Sequence, residues 1–135
     1  MKLITRDTDY AIRAIGCIAN SKEDVVDVGF LSKNLKVPRP FLRKILQILT
    51  KKGILNSLKG RGGGFSLNVD PKKITVLNLI EIFQGPFQLN EHKFRGKRCH
   101  NVNLCDLKKK LDKIERHVVK DLKAIDMTIW MKQSA

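Results

Sequence analysis

The stretch "DVGFLSKNLKVPRPFLRKILQILTKKGILNSLKGRGGGFSLNV", residues 27–69, decides the fold. Asp27 is a good helix N-cap, and Val28, Leu31 and Leu35 recur on one helical face behind it. "KVPRP" (36–40) then breaks the helix: Pro38 suits a turn and Pro40 the first position of the next helix. In "FLRKILQILTKK" (41–52), Leu42, Ile45, Leu46 and Leu49 share one side. Arg39, Arg43, Lys44 and Gln47 fall largely on the other, and Gly53 is the expected C-terminal cap. Two short helices joined by a tight turn, the second with a buried face and a basic face, make a helix-turn-helix pattern. In that pattern the second helix enters the DNA major groove.

The residues after this second helix extend the pattern. "ILNSL" and "GFSLNV" are short strand candidates, the latter alternating Phe65, Leu67 and Val69. Between them "KGRGGG" supplies the backbone freedom of a tight hairpin, with Lys59 and Arg61 at its tip beside Gly62. A basic hairpin directly after a recognition helix is a wing, whose cations meet phosphates or enter the minor groove. A phosphate-cradling loop of the P-loop kind would need "GK[ST]" leading into a helix, and that is absent.

Charge supports a polyanion partner. The chain of 135 residues carries 27 Lys and Arg against 13 Asp and Glu, a net +14. From Val28 to Val69 there is no Asp or Glu at all. A length near that of one ordinary domain and 42% hydrophobic residues imply a globular core. No run of about 18 apolar residues spans a membrane, and "MKLITRDTDY" contains no apolar signal region. An odd count of three cysteines then suits reduced thiols in the cytoplasm rather than a disulfide framework.

The flanks complete the expected architecture. "TDYAIRAIGCIA" (8–19) is amphipathic, with Ala11, Ala14, Ile15 and Ile18 inward and Cys17 close to that face as a small buried thiol. "DPKKITVLNLIEIFQGP" (70–86) reads as a turn, a Thr75 N-cap, a short helix through Val76, Leu79, Ile80 and Phe83, and a Gly85–Pro86 stop. From Asp106 to about Met131, Leu107, Leu111, Ile114, Val118, Leu122, Ile125 and Ile129 form one apolar stripe of a long helix. A second copy of the same helix is its natural partner, and a two-fold dimer matches a palindromic operator. The expected fold is mainly α with a small β-hairpin wing: a winged helix-turn-helix plus a long C-terminal dimerisation helix. Residues 1–85 would be the DNA-binding domain, 86–105 a cofactor-binding or sensor loop, and 106–135 the dimerisation helix.

Several motifs in order resemble the Rrf-two family of bacterial winged-helix transcription regulators. "MKLITRDTDYAIRAI" is similar to its N-terminal helix and "VPRPFLRKILQILTKKGIL" to its recognition helix. "SLKGRGGGFSL" carries its Gly-rich wing signature, and "ITVLNLIEIFQGP" also fits. The resemblance implies a homodimeric, sequence-specific DNA-binding regulator, expected to be a repressor, set by an iron–sulfur, redox or nitric-oxide signal. Arg39, Pro40, Arg43, Lys44 and Gln47 would meet DNA through the helix, and Lys59, Arg61 and Gly62 through the wing.

The same resemblance bears on "NEHKFRGKRCHNVNLC" (90–105), which holds two of the three cysteines and two of the three histidines. Cluster-binding relatives carry three cysteines here. Cys99 and Cys105 match the second and third, and His92 stands where the first would be. In the nitric-oxide-sensor branch the fourth ligand is an acidic residue near the N-terminus of the other subunit, which corresponds to Asp9. In the iron–sulfur-regulator branch it is a histidine, at the position occupied here by Lys108. His92, Cys99 and Cys105 with Asp9 would hold a [2Fe–2S] rather than a [4Fe–4S] cluster. Histidine does replace cysteine on a cluster iron in Rieske centres.

Other readings of the segment stay open. They are a lost cluster, zinc on Cys99, Cys105, His92 and His100, a Cys99–Cys105 thiol switch, and a basic loop with no cofactor. An RNA-binding protein would also explain the charge, but aromatics are only 6% and no stacking platform is evident. With no nucleophile–base–acid constellation in the chain, an enzyme is not expected.

Overall fold

A computed structural model describes residues 2–89 and 104–133; for 104, 105 and 131–133 it describes the backbone. Five helices and one hairpin run in the order α1 (Arg6–Asn20), α2 (Val28–Leu35), α3 (Arg39–Lys51), β1 (Leu55–Leu58), β2 (Gly64–Leu67), α4 (Val76–Gln84) and α5 (Leu104–Ala124). A short 3-10 turn, Pro71–Lys73, precedes α4, and a second, Met127–Gln133, comes after α5. Among the described residues no helix is long and apolar enough to cross a membrane.

α1 runs through the centre of the core. Ala11, Ala14 and Ile15 are fully buried, Ile18 nearly so, and α3, α4, β2 and the C-terminal 3-10 turn pack around it. α3 contributes Leu42, Ile45, Leu46 and Leu49, all buried, at the spacing read from the sequence. Truncating any one of them to Ala would cost about 2–5 kcal/mol.

Two helix ends depend on specific chemistry. α3 closes in a Schellman turn: Ile54 N–H donates to Leu49 O (3.0 Å) and Gly53 N–H to Thr50 O (3.1 Å). That turn needs the left-handed backbone of Gly53, whose φ is +80°. α4 opens with a capping box in which Asn78 N–H donates to Thr75 Oγ1 (3.2 Å) and Thr75 N–H to Asn78 Oδ1 (3.1 Å).

β1 and β2 pair antiparallel, Leu55 with Leu67 through Leu58 with Gly64. Val26 adds a one-residue third strand, exchanging two backbone hydrogen bonds of 2.8 and 2.9 Å with Phe65. A Cβ on Gly64 would sit 2.2 Å from Val26 O, so this close approach requires glycine. The hairpin is thereby tied to the segment between α1 and α2 as well as to α3.

Two expectations need correction. Asp27 occupies the N-cap position of α2, but its side chain makes no capping hydrogen bond. Its carboxylate reaches over Gly29 instead, where a Cβ would meet Asp27 Oδ2 at 3.0 Å and the Arg39 guanidinium at 2.9 Å.

The long helix also ends at Ala124, not near Met131. There the backbone turns to pair with the segment before α4. Val76 N–H donates to Ile125 O (2.9 Å) and Met127 N–H to Ile74 O (3.0 Å). Met127 is fully buried, whereas Ile125 and Ile129, the last members of the predicted stripe, are exposed. Trp130 lies across α1 at Gly16, and its carbonyl accepts from Asn20 Nδ2 (3.1 Å).

Candidate nucleic-acid interface

The turn between α2 and α3 is built by Lys36, Val37 and Pro38. Lys36 takes the left-handed conformation (φ 56°), Ser32 Oγ donates to Val37 O (2.7 Å), and Val37 is buried. Val37 therefore anchors the turn while Pro38 starts α3, with Pro40 in its first turn. Pro40, Arg43, Lys44 and Gln47, on the far side of α3 from its buried leucines, and Arg39 at its first position are all exposed. Lys59, Arg61 and Gly62 are likewise exposed, in the turn that Gly63 N–H closes onto Gly60 O (3.0 Å). β1 packs on α3, so the hairpin is seated beside the helix. One fold unit thus presents every expected DNA-contacting residue to solvent. Among the described residues none of these cations is held in an ion pair; the pairs there are Arg6–Asp7 and Arg13–Asp9, both on α1.

Aromatic and charged neighbours that sequence reasoning missed extend this surface. Phe41 in the first turn of α3 and Phe30 on α2 are exposed, and Arg6 of α1 stacks over the Phe41 ring at 5.1 Å. Phe41 could have been noticed, since it lies off the apolar face marked by Leu42, Ile45, Leu46 and Leu49. No local signal pairs it with a residue 35 positions earlier.

Of the candidate sensor residues, Asp9 and the backbone of Cys105 are among those described. His92 and Cys99 lie outside the described residues, as does His100. Cys105 falls in the first turn of α5. Asp9 is on α1, its carboxylate partly exposed and bonded to Arg13 Nε at 3.0 Å. It borders a cleft of about 400 Å³ shared with Arg13, Gly16, Cys17, Asn20, Leu35 and Trp130. Burial pushes the Cys17 thiol above its ordinary value of 9.0, so it is neutral and a weak nucleophile at neutral pH. Among the described residues no group of three metal-ligating side chains gathers. His117 is exposed.

Comparison with known proteins places these features. Residues 4–132 match the profile of the Rrf2 family, described as an iron-dependent transcriptional regulator. A putative helix-turn-helix-type transcriptional regulator of Aquifex aeolicus is 40% identical over 79 residues, 58% of this chain and 55% of that protein. The match thus spans about half that relative's length. The helix-turn-helix-type transcriptional regulator NsrR of Bacillus licheniformis is 29% identical over 116 residues, 84% of this chain and 80% of that one. In fold, the chain is similar to CymR, the global cysteine regulator of B. subtilis. The TM-score is 0.76 at 18% identity, over 94% of each chain.

Proposed function

Because the chain belongs to the Rrf2 family of DNA-binding transcription regulators, and its relatives are regulators rather than enzymes, we propose that it is a homodimeric, cytoplasmic repressor that reads a palindromic operator. The observation that carries this reading is the two-faced α3, apolar residues locked in the core and Arg39, Arg43, Lys44 and Gln47 facing solvent, with the wing cations beside it. Arg39 and Arg43 offer bidentate donors to guanine in the major groove, each worth about 1–3 kcal/mol of discrimination. Lys44, Lys59 and Arg61 supply phosphate contacts, and Gly62 lets the wing backbone approach closely. Pro40 pre-sets the start of α3 at the groove.

Dimerisation through α5 is supported by Leu107 and Ile114, 53% and 52% exposed on a helix whose Leu122 is buried. Such exposure on one stripe is what a second copy would cover.

For the signal, the donor set His92, Cys99 and Cys105 with the partner subunit's Asp9 fits a [2Fe–2S] cluster by its chemistry: soft thiolates, one imidazole and one carboxylate. When bound, the cluster would supply a redox- and nitric-oxide-responsive link between subunits. Asp9 is already oriented by Arg13 from the next turn of α1, and it faces solvent, as a ligand offered across an interface must. Cys105 lies in the first turn of α5.

The test is selection of duplexes from a random library, followed by titration of the selected duplex. Arg43→Ala should lose discrimination at one base position, by about 1–3 kcal/mol. Lys59→Ala with Arg61→Ala should weaken all sequences alike. With about 6–10 phosphate contacts per dimer, affinity should fall about 10³–10⁵-fold between roughly 50 and 200 mM salt. No selected sequence, or a flat salt response, would sink the reading. Anaerobic purification with iron and sulfide analysis tests the cluster separately: a colourless, iron-free protein leaves the repressor without its cluster signal.

A further inference from the structure

α5 carries a second charged surface. Lys109, Lys113, Arg116, Lys120 and Lys123 are spaced by steps of four and three and are all exposed. At 1.5 Å per residue the row is about 21 Å long. At 3.6 residues per turn it lies opposite the stripe of Leu107, Leu111, Ile114, Val118 and Leu122. Lys113, Arg116, Lys120 and His117 together line a shallow depression along it. Asp106 lies before the row, Asp112 flanks it between Lys109 and Arg116, and Glu115 and Asp121 fall toward the apolar side. Glu115 is engaged elsewhere, its Oε1 accepting from Leu89 N–H at 2.9 Å. Among the described residues no member of the row is in an ion pair.

This ridge is separate from the α3 surface. α5 packs on α4, α4 on α1, and α1 on α3, so two helices stand between the two basic faces.

We propose that the outer face of α5 is a second nucleic-acid surface, which takes the phosphate backbone of a duplex other than the operator held by α3 and the wing. The inference rests on the reading of α3 as the operator surface and goes beyond it: one dimer joins two DNA segments. Cations recur about every 5 Å along the row, a density suited to the closely spaced phosphates of a duplex backbone, one about every 3.4 Å of axis per strand. An anionic bilayer fits less well, because the apolar stripe would point away from the lipid when the cations face it. An acidic protein partner would want an apolar anchor within the row, and the row has none.

The experiment uses the full chain and a bead-bound duplex carrying the selected operator, saturated so that both half-sites are filled. A labelled 40-bp duplex of random sequence is then added at low salt. Wild-type protein should capture it, and capture should fall about 10²–10³-fold between roughly 50 and 200 mM salt for five contacts. The variant K113E/R116E/K120E should hold the operator with unchanged affinity and lose capture at least tenfold. A control of equal net charge, K22E/K72E/K73E, altered at exposed positions elsewhere, should capture as wild type does.

Equal capture by the α5 variant and wild type, equal loss in both variants, or no capture by wild type overturns the proposal. So does binding of phosphatidylserine vesicles, lost in the α5 variant, without capture of the second duplex. If selection yields no operator, the α3 reading fails by itself. The salt slope on random duplex then still tests the ridge: it should be shallower by about 3 in the α5 variant than in the control.

Discussion

Gly16 sits in the middle of α1, where a glycine ordinarily weakens a helix, and the reason for it lies at the other end of the chain. A Cβ there would stand 2.7 Å from Cγ of Trp130 and 2.9 Å from two further ring atoms. The bare backbone is the seat of the indole, whose N–H is buried without a protein acceptor among the described residues. Gly16→Ala should therefore destabilise the protein by about 1–3 kcal/mol in urea unfolding. It should also shift the emission of Trp130, the chain's single tryptophan, to the red. An unshifted spectrum with unchanged stability would show that the ring does not rest there. Arg39 makes a related point. Its spacing sets it in line with Leu42 and Leu46, yet at the first position of α3 it is exposed, its guanidinium over Gly29 beside the Asp27 carboxylate. Helical spacing tells which side of a helix a residue occupies. It says nothing of the side chain that will meet it from another element.

At the scale of elements, most local rules held where the deciding atoms are close in sequence, the Asp27 cap being an exception. Thr75 as N-cap, Gly53 after α3 and the glycine-rich hairpin turn all act within five residues. The Thr75–Asn78 box allows a direct check. Thr75→Ala and Asn78→Ala should each cost about 0.5–2 kcal/mol. Because they break one reciprocal pair, the double variant should cost clearly less than the sum, measured by denaturant midpoints. Additive losses would mean that the two side chains act independently. α1 departs from this logic: Thr5 precedes it without a side-chain cap. Gln84, at the end of α4, substitutes in part, its Oε1 accepting from Thr5 N–H (3.0 Å) and from the buried Thr8 hydroxyl (2.7 Å). That joint ties the start of α1 to the end of α4, and no pattern in "TRDTDY" announces it.

For the whole molecule, the exposed stripe of α5 carries the expectation of a dimer. Leu107→Glu with Ile114→Glu should yield protomer mass by sedimentation equilibrium while leaving the helical content of the winged-helix body unchanged. Affinity for the selected duplex should drop at least about a hundredfold as two linked half-site contacts become one. A variant that remains dimeric would move the interface off α5. The winged helix-turn-helix itself was legible in residues 27–69. Apolar period, proline and glycine punctuation and the absence of acids act over a few residues, so they survive without knowledge of the rest of the chain. The end of α5 was not legible, because Ile125 and Ile129 continue a helical period that the backbone abandons at Ala124. Pairing with residues 74–76 and burial of Met127 won over that period, and both depend on a surface that exists only after α1 and α4 have packed. The sequence by itself thus determined which face of each helix is apolar and where the basic residues stand. Tertiary structure alone decided the Val26–Phe65 bridge, the Gln84 joint, the Trp130 seat on Gly16 and the last turn of α5. Each of these is a contact between segments far apart in the chain, and no local spacing encodes such a meeting.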